Sequence, residues 1–124
     1  MQKVMIALLT FCSIEPAYAH FQGPMEIKEI VYQERNRIQI TVGNDSLEKK
    51  EFQMYIDGMK SGKAFVLGSS QDKKVPLFFR LGRDEKRVFD VCSIARSLSN
   101  HGIRTRICTS VKLLYPYSRL QLQN

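Results

Sequence analysis

The chain has 124 residues and a mass of 14.3 kDa, and 44% of them are hydrophobic, 25% charged and 10% aromatic. That is the composition of one globular domain, and it excludes a disordered chain, a collagen-like repeat and a multi-pass membrane protein. With 19 Lys and Arg against 12 Asp and Glu, the net charge is +7, which favours anionic partners over cationic ones.

At the N-terminus Lys3 precedes an apolar run, Val4 to Cys12, and Ala17-Tyr18-Ala19 follows in the small-x-small pattern of a cleavage site. Residues 1–19 therefore read as a secretory signal peptide cut before His20, with 20–124 as a single mature domain exported to the periplasm. The apolar run is far shorter than the roughly 20 residues of a membrane-spanning helix, and no later stretch is longer, so no membrane span is expected. Phe11 is too large for the small position that precedes a lipidated cysteine.

The mature positive charge is uneven. Residues 20–79 carry 9 basic and 8 acidic side chains, whereas residues 80–124 carry 9 and 3. Export argues against nucleic acid as the partner of this excess. An acidic protein, an anionic envelope surface or a C-terminal carboxylate fits better, and a solvated basic surface without a partner is the plain alternative.

Strand signals recur along the mature chain, and no segment keeps a helical period beyond two turns. Met25 to Tyr32 reads as a first strand. After the turn at Glu34-Arg35-Asn36, Ile38, Ile40 and Val42 alternate with polar residues in a second, which Gly43-Asn44-Asp45-Ser46 ends. Phe52, Met54 and Ile56 mark a third, closed by the turn pair Asp57-Gly58. A short apolar run, Ala64 to Leu67, follows. The loop 68–72 then leads to Val75–Leu81, where Leu77, Phe79 and Leu81 share a face and Pro76 suits an edge or a strand start.

Residues 87–94 and 103–115 flank the turn-rich segment 97–102 and read as an antiparallel pair. Export leaves Cys92 and Cys108 as an even pair in an oxidising compartment, and their default state is one disulfide. Closing a loop of about 15 residues is worth roughly 3 kcal/mol. With Cys92 opposite Cys108, Val91 faces Thr109, Asp90 faces Ser110 and Phe89 faces Val111. The apolar partners then lie on one face, and the disulfide lies on the other with Arg104, Arg106 and Lys112. About seven strands in one such domain predict an all-β, immunoglobulin-like seven-stranded sandwich with one disulfide.

Catalytic motifs are missing. The chain holds no GxSxG, P-loop or HExxH, and only two histidines, His20 and His101, so no enzyme and no cofactor are expected. One metal arrangement is compatible with the residues: cleavage before His20 frees an α-amino group beside an imidazole, and His101 can complete a nitrogen-rich copper site.

The most informative stretch is the last strand. Val111-Lys112-Leu113-Leu114-Tyr115-Pro116 resembles the end of the first immunoglobulin-like domain of the periplasmic chaperones of pilus assembly (PapD-like), without the family's Arg before Pro. Ile30-Val31-Tyr32, Ile40-Thr41-Val42-Gly43-Asn44 and Val75-Pro76-Leu77-Phe78-Phe79-Arg80-Leu81 resemble earlier segments in the same order. The resemblance spans about residues 25–116 and implies a chaperone that lends an edge strand to a pilus subunit by β-augmentation. Ile103, Thr105 and Ile107 would then plug the subunit groove, and Lys112 would hold the subunit's C-terminal carboxylate. Where the family has a partner Arg this chain has Lys28-Glu29, so that Lys28 is the substitute cation and Glu29 a possible neutraliser. The family also carries a second immunoglobulin-like domain and docks to an outer-membrane usher, whereas only Tyr117 to Asn124 follow here. The alternative is a non-enzymatic structural or interaction module of a cell-envelope secretion or appendage complex.

Overall fold

The computed structural model describes residues 20–98 and 104–121. The expected signal peptide, 1–19, and the residues His101 and Ile103 lie outside the described residues. In chain order the strands are β1 (Phe21–Gly23), β2 (Glu26–Ile30), β3 (Arg35–Gly43), β4 (Lys50–Ile56), β5 (Met59–Leu67), β6 (Asp72–Arg80), β7 (Lys86–Ser97) and β8 (Arg104–Leu114), followed by a short helix, α1 (Tyr117–Gln121). Two sheets form, one ordered β1-β3-β6 and the other β2-β8-β7-β4-β5.

Alternation on both inner faces supplies the core. Ile38, Ile40 and Val42 of β3 meet Phe52, Met54, Val91 and Val111 of the larger sheet in one buried cluster. Phe79 of β6 and Phe89 of β7 join the sheets with ring centroids 4.6 Å apart. The result is an immunoglobulin-like β-sandwich.

The register expected for the last two strands is the observed one: Phe89 pairs with Val111, Asp90 with Ser110, Val91 with Thr109 and Cys92 with Cys108. The bridge between Cys92 and Cys108 joins the two strands. It lies on the outer face as expected, yet Cys92 is buried, because the bridge itself and the Arg106 guanidinium, 3.5 Å from its Sγ, cover it.

Three expectations are corrected. The expected first strand, Met25 to Tyr32, is present as the shorter β2, and a further short strand, β1, precedes it on the other sheet. β1 pairs antiparallel with β3, the chain crosses over at the cis Gly23–Pro24 bond, and β2 pairs parallel with β8. The described residues thus hold eight strands instead of seven. The brief run Ala64 to Leu67 extends to the full length of β5. Ile56 pairs with Met59 across Asp57 (φ 47°) and Gly58 (φ 81°), a two-residue hairpin turn with both φ positive. A polar sequence such as Met59-Lys60-Ser61-Gly62-Lys63 still forms strand because β5 is a sheet edge whose outer side meets water. Finally, α1 ends an otherwise all-β chain. The Ser118 hydroxyl donates to Asp84 Oδ2 and its backbone N–H to Asp84 Oδ1 at 3.0 Å, and these bonds hold the Asp84 carboxyl below its ordinary range.

The loops at one end are tied by Asn44, which is fully buried. Its amide donates to the carbonyls of Glu48 (2.8 Å), Leu67 (2.9 Å) and Gly68 (3.2 Å), while its Oδ1 accepts from the backbone N–H of Ser46 at 3.0 Å. One side chain thus joins the β3–β4 and β5–β6 connections. We expect Asn44→Ala, which strands these buried carbonyls, to cost about 2–3 kcal/mol in urea unfolding; a loss below about 0.5 kcal/mol would show that water replaces the amide.

Candidate interaction site on the last strand

β8 is the strand on which the sequence placed its candidate residues, and its two sides differ. Towards β7 it is paired throughout, from Arg96 with Arg104 to Lys86 with Leu114. On its other side β2 pairs only with Ser110 to Leu114. Two bonds flank this short parallel ladder, from Ser110 N–H to Met25 O (3.1 Å) and from Val31 N–H to Leu114 O (2.8 Å). Among the described residues Arg104 to Thr109 have no strand on that side. Half of β8 is an open edge.

Odd-numbered residues of this strand point to the sandwich interior. Val111 and Leu113 are fully covered, whereas Thr105 and Ile107, beyond the reach of β2, are half-buried. Even-numbered residues point outward, with Arg104, Arg106 and Lys112 exposed.

The open half is flanked by a polar chain that the sequence reading did not find. His20 is 4% exposed, with its ring edge-on to Phe52. Its Nε2 lies 2.7 Å from Ser93 Oγ and its Nδ1 3.0 Å from Thr105 Oγ1. The proton order follows from the partners. Ser93 donates to Gln22 Oε1, so it accepts from His20 Nε2–H, and Nδ1 accepts from the Thr105 hydroxyl. Gln22 in turn donates to Thr109 Oγ1 (2.7 Å) and to Val91 O (2.9 Å), and Thr109 donates to Pro24 O (2.6 Å). These links tie the β1 segment to β7 and β8. Their signal in the sequence was the placement of Ser93, Thr105 and Thr109 on the inward face of the expected register, where each needs a buried partner.

This arrangement requires a neutral imidazole. Burial, with the Lys50 ammonium adding to it, lowers the His20 pKa from 6.5 to about 4. Both ring nitrogens are engaged by hydroxyls, and the second histidine of the copper arrangement, His101, lies outside the described residues. Among the described residues no group of three or more His, Cys, Asp or Glu side chains is placed to hold a metal ion.

At the other end of β8 the candidate cations meet. Lys28 lies opposite Lys112 in the parallel register, and both are exposed on the outer face, with Lys86 of β7 lining the same shallow depression. Lys28 makes an exposed ion pair with Glu26 at 3.2 Å, of the kind worth about 0–1 kcal/mol. Glu29 aligns with Leu113 on the opposite side of the strand from Lys28. Lys28, and not Glu29, is therefore the neighbour of Lys112. Thr105 and Ile107 lie on the other face of β8 from this pair, toward its open half.

No family model matches the sequence, and no curated protein does. The fold has relatives among solved structures. The periplasmic chaperone SfaE superposes with a TM-score of 0.62 at 13% identity, over 77% of this chain and 57% of its own. The E. coli chaperone DraB gives 0.61 at 13%, over 79% and 56%. A PapD-like domain of human CEP192 gives 0.68 at 9%, over 92% and 97%. The chain has a PapD-like immunoglobulin fold. It spans little more than half the length of the two bacterial chaperones and nearly all of the human domain, which shows that this fold occurs in proteins of different settings.

The His20 chain makes stability depend on pH with a definite sign. The folded pKa lies below the unfolded one, so the unfolded chain takes up the proton first as pH falls. Stability is full above pH 6.5 and is lost progressively towards pH 4. We expect the unfolding free energy from urea titrations to fall over that window by roughly 3 kcal/mol and His20→Gln to flatten this slope; an equal slope in the variant would place the titration elsewhere.

Proposed function

We propose that this protein is a non-enzymatic interaction module of the cell envelope that engages a β-rich partner along the open half of β8. The observation that carries this reading is the edge from Arg104 to Thr109, which no strand covers among the described residues, since the pairing of β2 reaches only from Ser110 to Leu114. An edge of this kind offers main-chain N–H and C=O groups to an incoming strand, while alternate side chains select the partner. The PapD-like fold, shared with chaperones and with a human domain alike, supports an interaction module.

The finer reading within this class is a periplasmic chaperone that lends β8 to a pilus subunit. Two features favour it. The half-buried pair Thr105 and Ile107, continued outside the described residues by Ile103, follows the alternate spacing that plugs a groove. The Lys28–Lys112 pair joins two ammonium groups next to each other, suited to a terminal carboxylate. Export through the leader at 1–19 belongs to this proposal, as does an outer-membrane usher as a further partner. The wider reading asks only for a β-rich envelope protein.

Co-expression with a pilus subunit lacking its last strand tests the finer reading. Wild type should keep the subunit soluble and co-purify with it. Ile107→Arg, which drives a charge into the groove, should cut recovery by about tenfold or more while its own melting transition persists. Lys28→Ala with Lys112→Ala should cause a smaller, salt-dependent loss. Unchanged recovery with Ile107→Arg would reject strand donation and leave the wider module.

A further inference from the structure

The outer face of the three-stranded sheet carries a second feature, remote from β8. β3 and β6 pair so that Arg35 stands directly opposite Arg80 and Arg37 opposite Phe78. All four side chains are exposed, Phe78 at 75%. They line one shallow depression. Lys74 extends the positive charge along the same face of β6.

This arrangement is costly for the free protein. Like charges directly opposite each other across two strands repel, and the large exposed aromatic ring is a feature of contact surfaces more than of solvated ones. Among the described residues no carboxylate forms an ion pair with Arg35, Arg37 or Arg80; the adjacent Glu34 makes none. Arg37 reaches only the Gln39 amide oxygen, at 3.5 Å. Three guanidinium forks therefore face outward around an apolar ring without a counter-charge.

We propose that this face binds an acidic peptide segment in extended conformation. The spacing selects that occupant. Arg35 and Arg37 are two residues apart on one strand, and an extended partner repeats its side chains on one face at the same interval of about 7 Å. Carboxylates at alternate positions of the partner thus meet successive guanidiniums, each of which can take a carboxylate through two parallel N–H···O bonds. An apolar side chain of the partner covers Phe78. A lipid surface matches less well, because the cations border a depression on a sheet face and the apolar contribution is a single ring. Binding here leaves β8 free, so the module would hold two partners on opposite sheets.

The probe is a fluorescein-labelled decapeptide whose odd positions are Glu, Glu, Leu, Glu and Glu and whose even positions are Ser, so that carboxylates and the apolar side chain share one face; it is read by anisotropy at low and at physiological salt, with phosphatidylglycerol vesicles as a parallel sedimentation arm. The full folded chain should bind the peptide, more weakly as salt rises. Arg35→Gln with Arg80→Gln should weaken it at least tenfold, whereas Lys28→Gln with Lys112→Gln should not. Because the first variant removes a like-charge pair, it should melt no lower than wild type, and the peptide should raise the melting temperature of wild type only. Peptide binding equal in wild type and the Arg variant, absence of peptide binding, or sedimentation with vesicles in place of peptide binding would each overturn the proposal.

Discussion

The pairing of β7 with β8 is the constraint on which the rest of the molecule depends. Cys92 opposite Cys108 sets one register, and that register turns Phe89, Val91, Val111 and Leu113 inward together. A slip of β8 by one residue would turn Val111 and Leu113 out and bring Arg104, Arg106 and Lys112 into the core, at a cost no sandwich of this size can absorb. The covalent bond and the hydrophobic pattern agree, which is the condition for a unique native state. Every neighbour of this pair is then placed: β4 against β7, β2 against the C-terminal half of β8, and the smaller sheet across the core.

The β1–β2 segment is the second determinant, because it decides which part of β8 remains open. It spans both sheets. Phe21 lies over the bare backbone of Gly43, where an added Cβ would meet the ring at 1.8 Å, while Gln22 and His20 enter the core as polar groups. Their burial is compatible with folding because each donor finds an acceptor along one directional chain from Thr105 to Pro24 O. β1 itself pairs with β3 in the smaller sheet, and among the described residues no strand pairs with Arg104 to Thr109 on that side.

The distribution of charge follows from the two sheets. Outward positions of β8 and β2 carry Lys28 and Lys112, and outward positions of β3 and β6 carry Arg35, Arg37 and Arg80. Exposed cations therefore stand on two faces with different chemistry. Lysines, as compact and well-hydrated point charges, suit a single terminal carboxylate, and planar guanidiniums suit a row of them.

Several features were legible in the residues alone. Alternation at Ile38, Ile40 and Val42 and at Phe52 and Met54 marked half-buried strands, because period 2 has a direct geometric cause. Cys92 and Cys108, combined with alternation on both sides, led to the observed register. The side on which Lys28 lies was also readable, since neighbours along a strand point to opposite faces. What the chain could not reveal locally was long-range pairing. The division of 21–30 between two sheets depends on which strands stand ready to receive it, and the length of β5 depends on a hairpin that supplies its partner from β4. His20 looked like a free N-terminal imidazole because Ser93 and Thr105, the groups that engage it, are 73 and 85 residues away. The open half of β8 and the facing of Arg35 on Arg80 are likewise properties of assembled sheets. Local sequence determines which side a residue takes, and only tertiary structure decides what stands across from it.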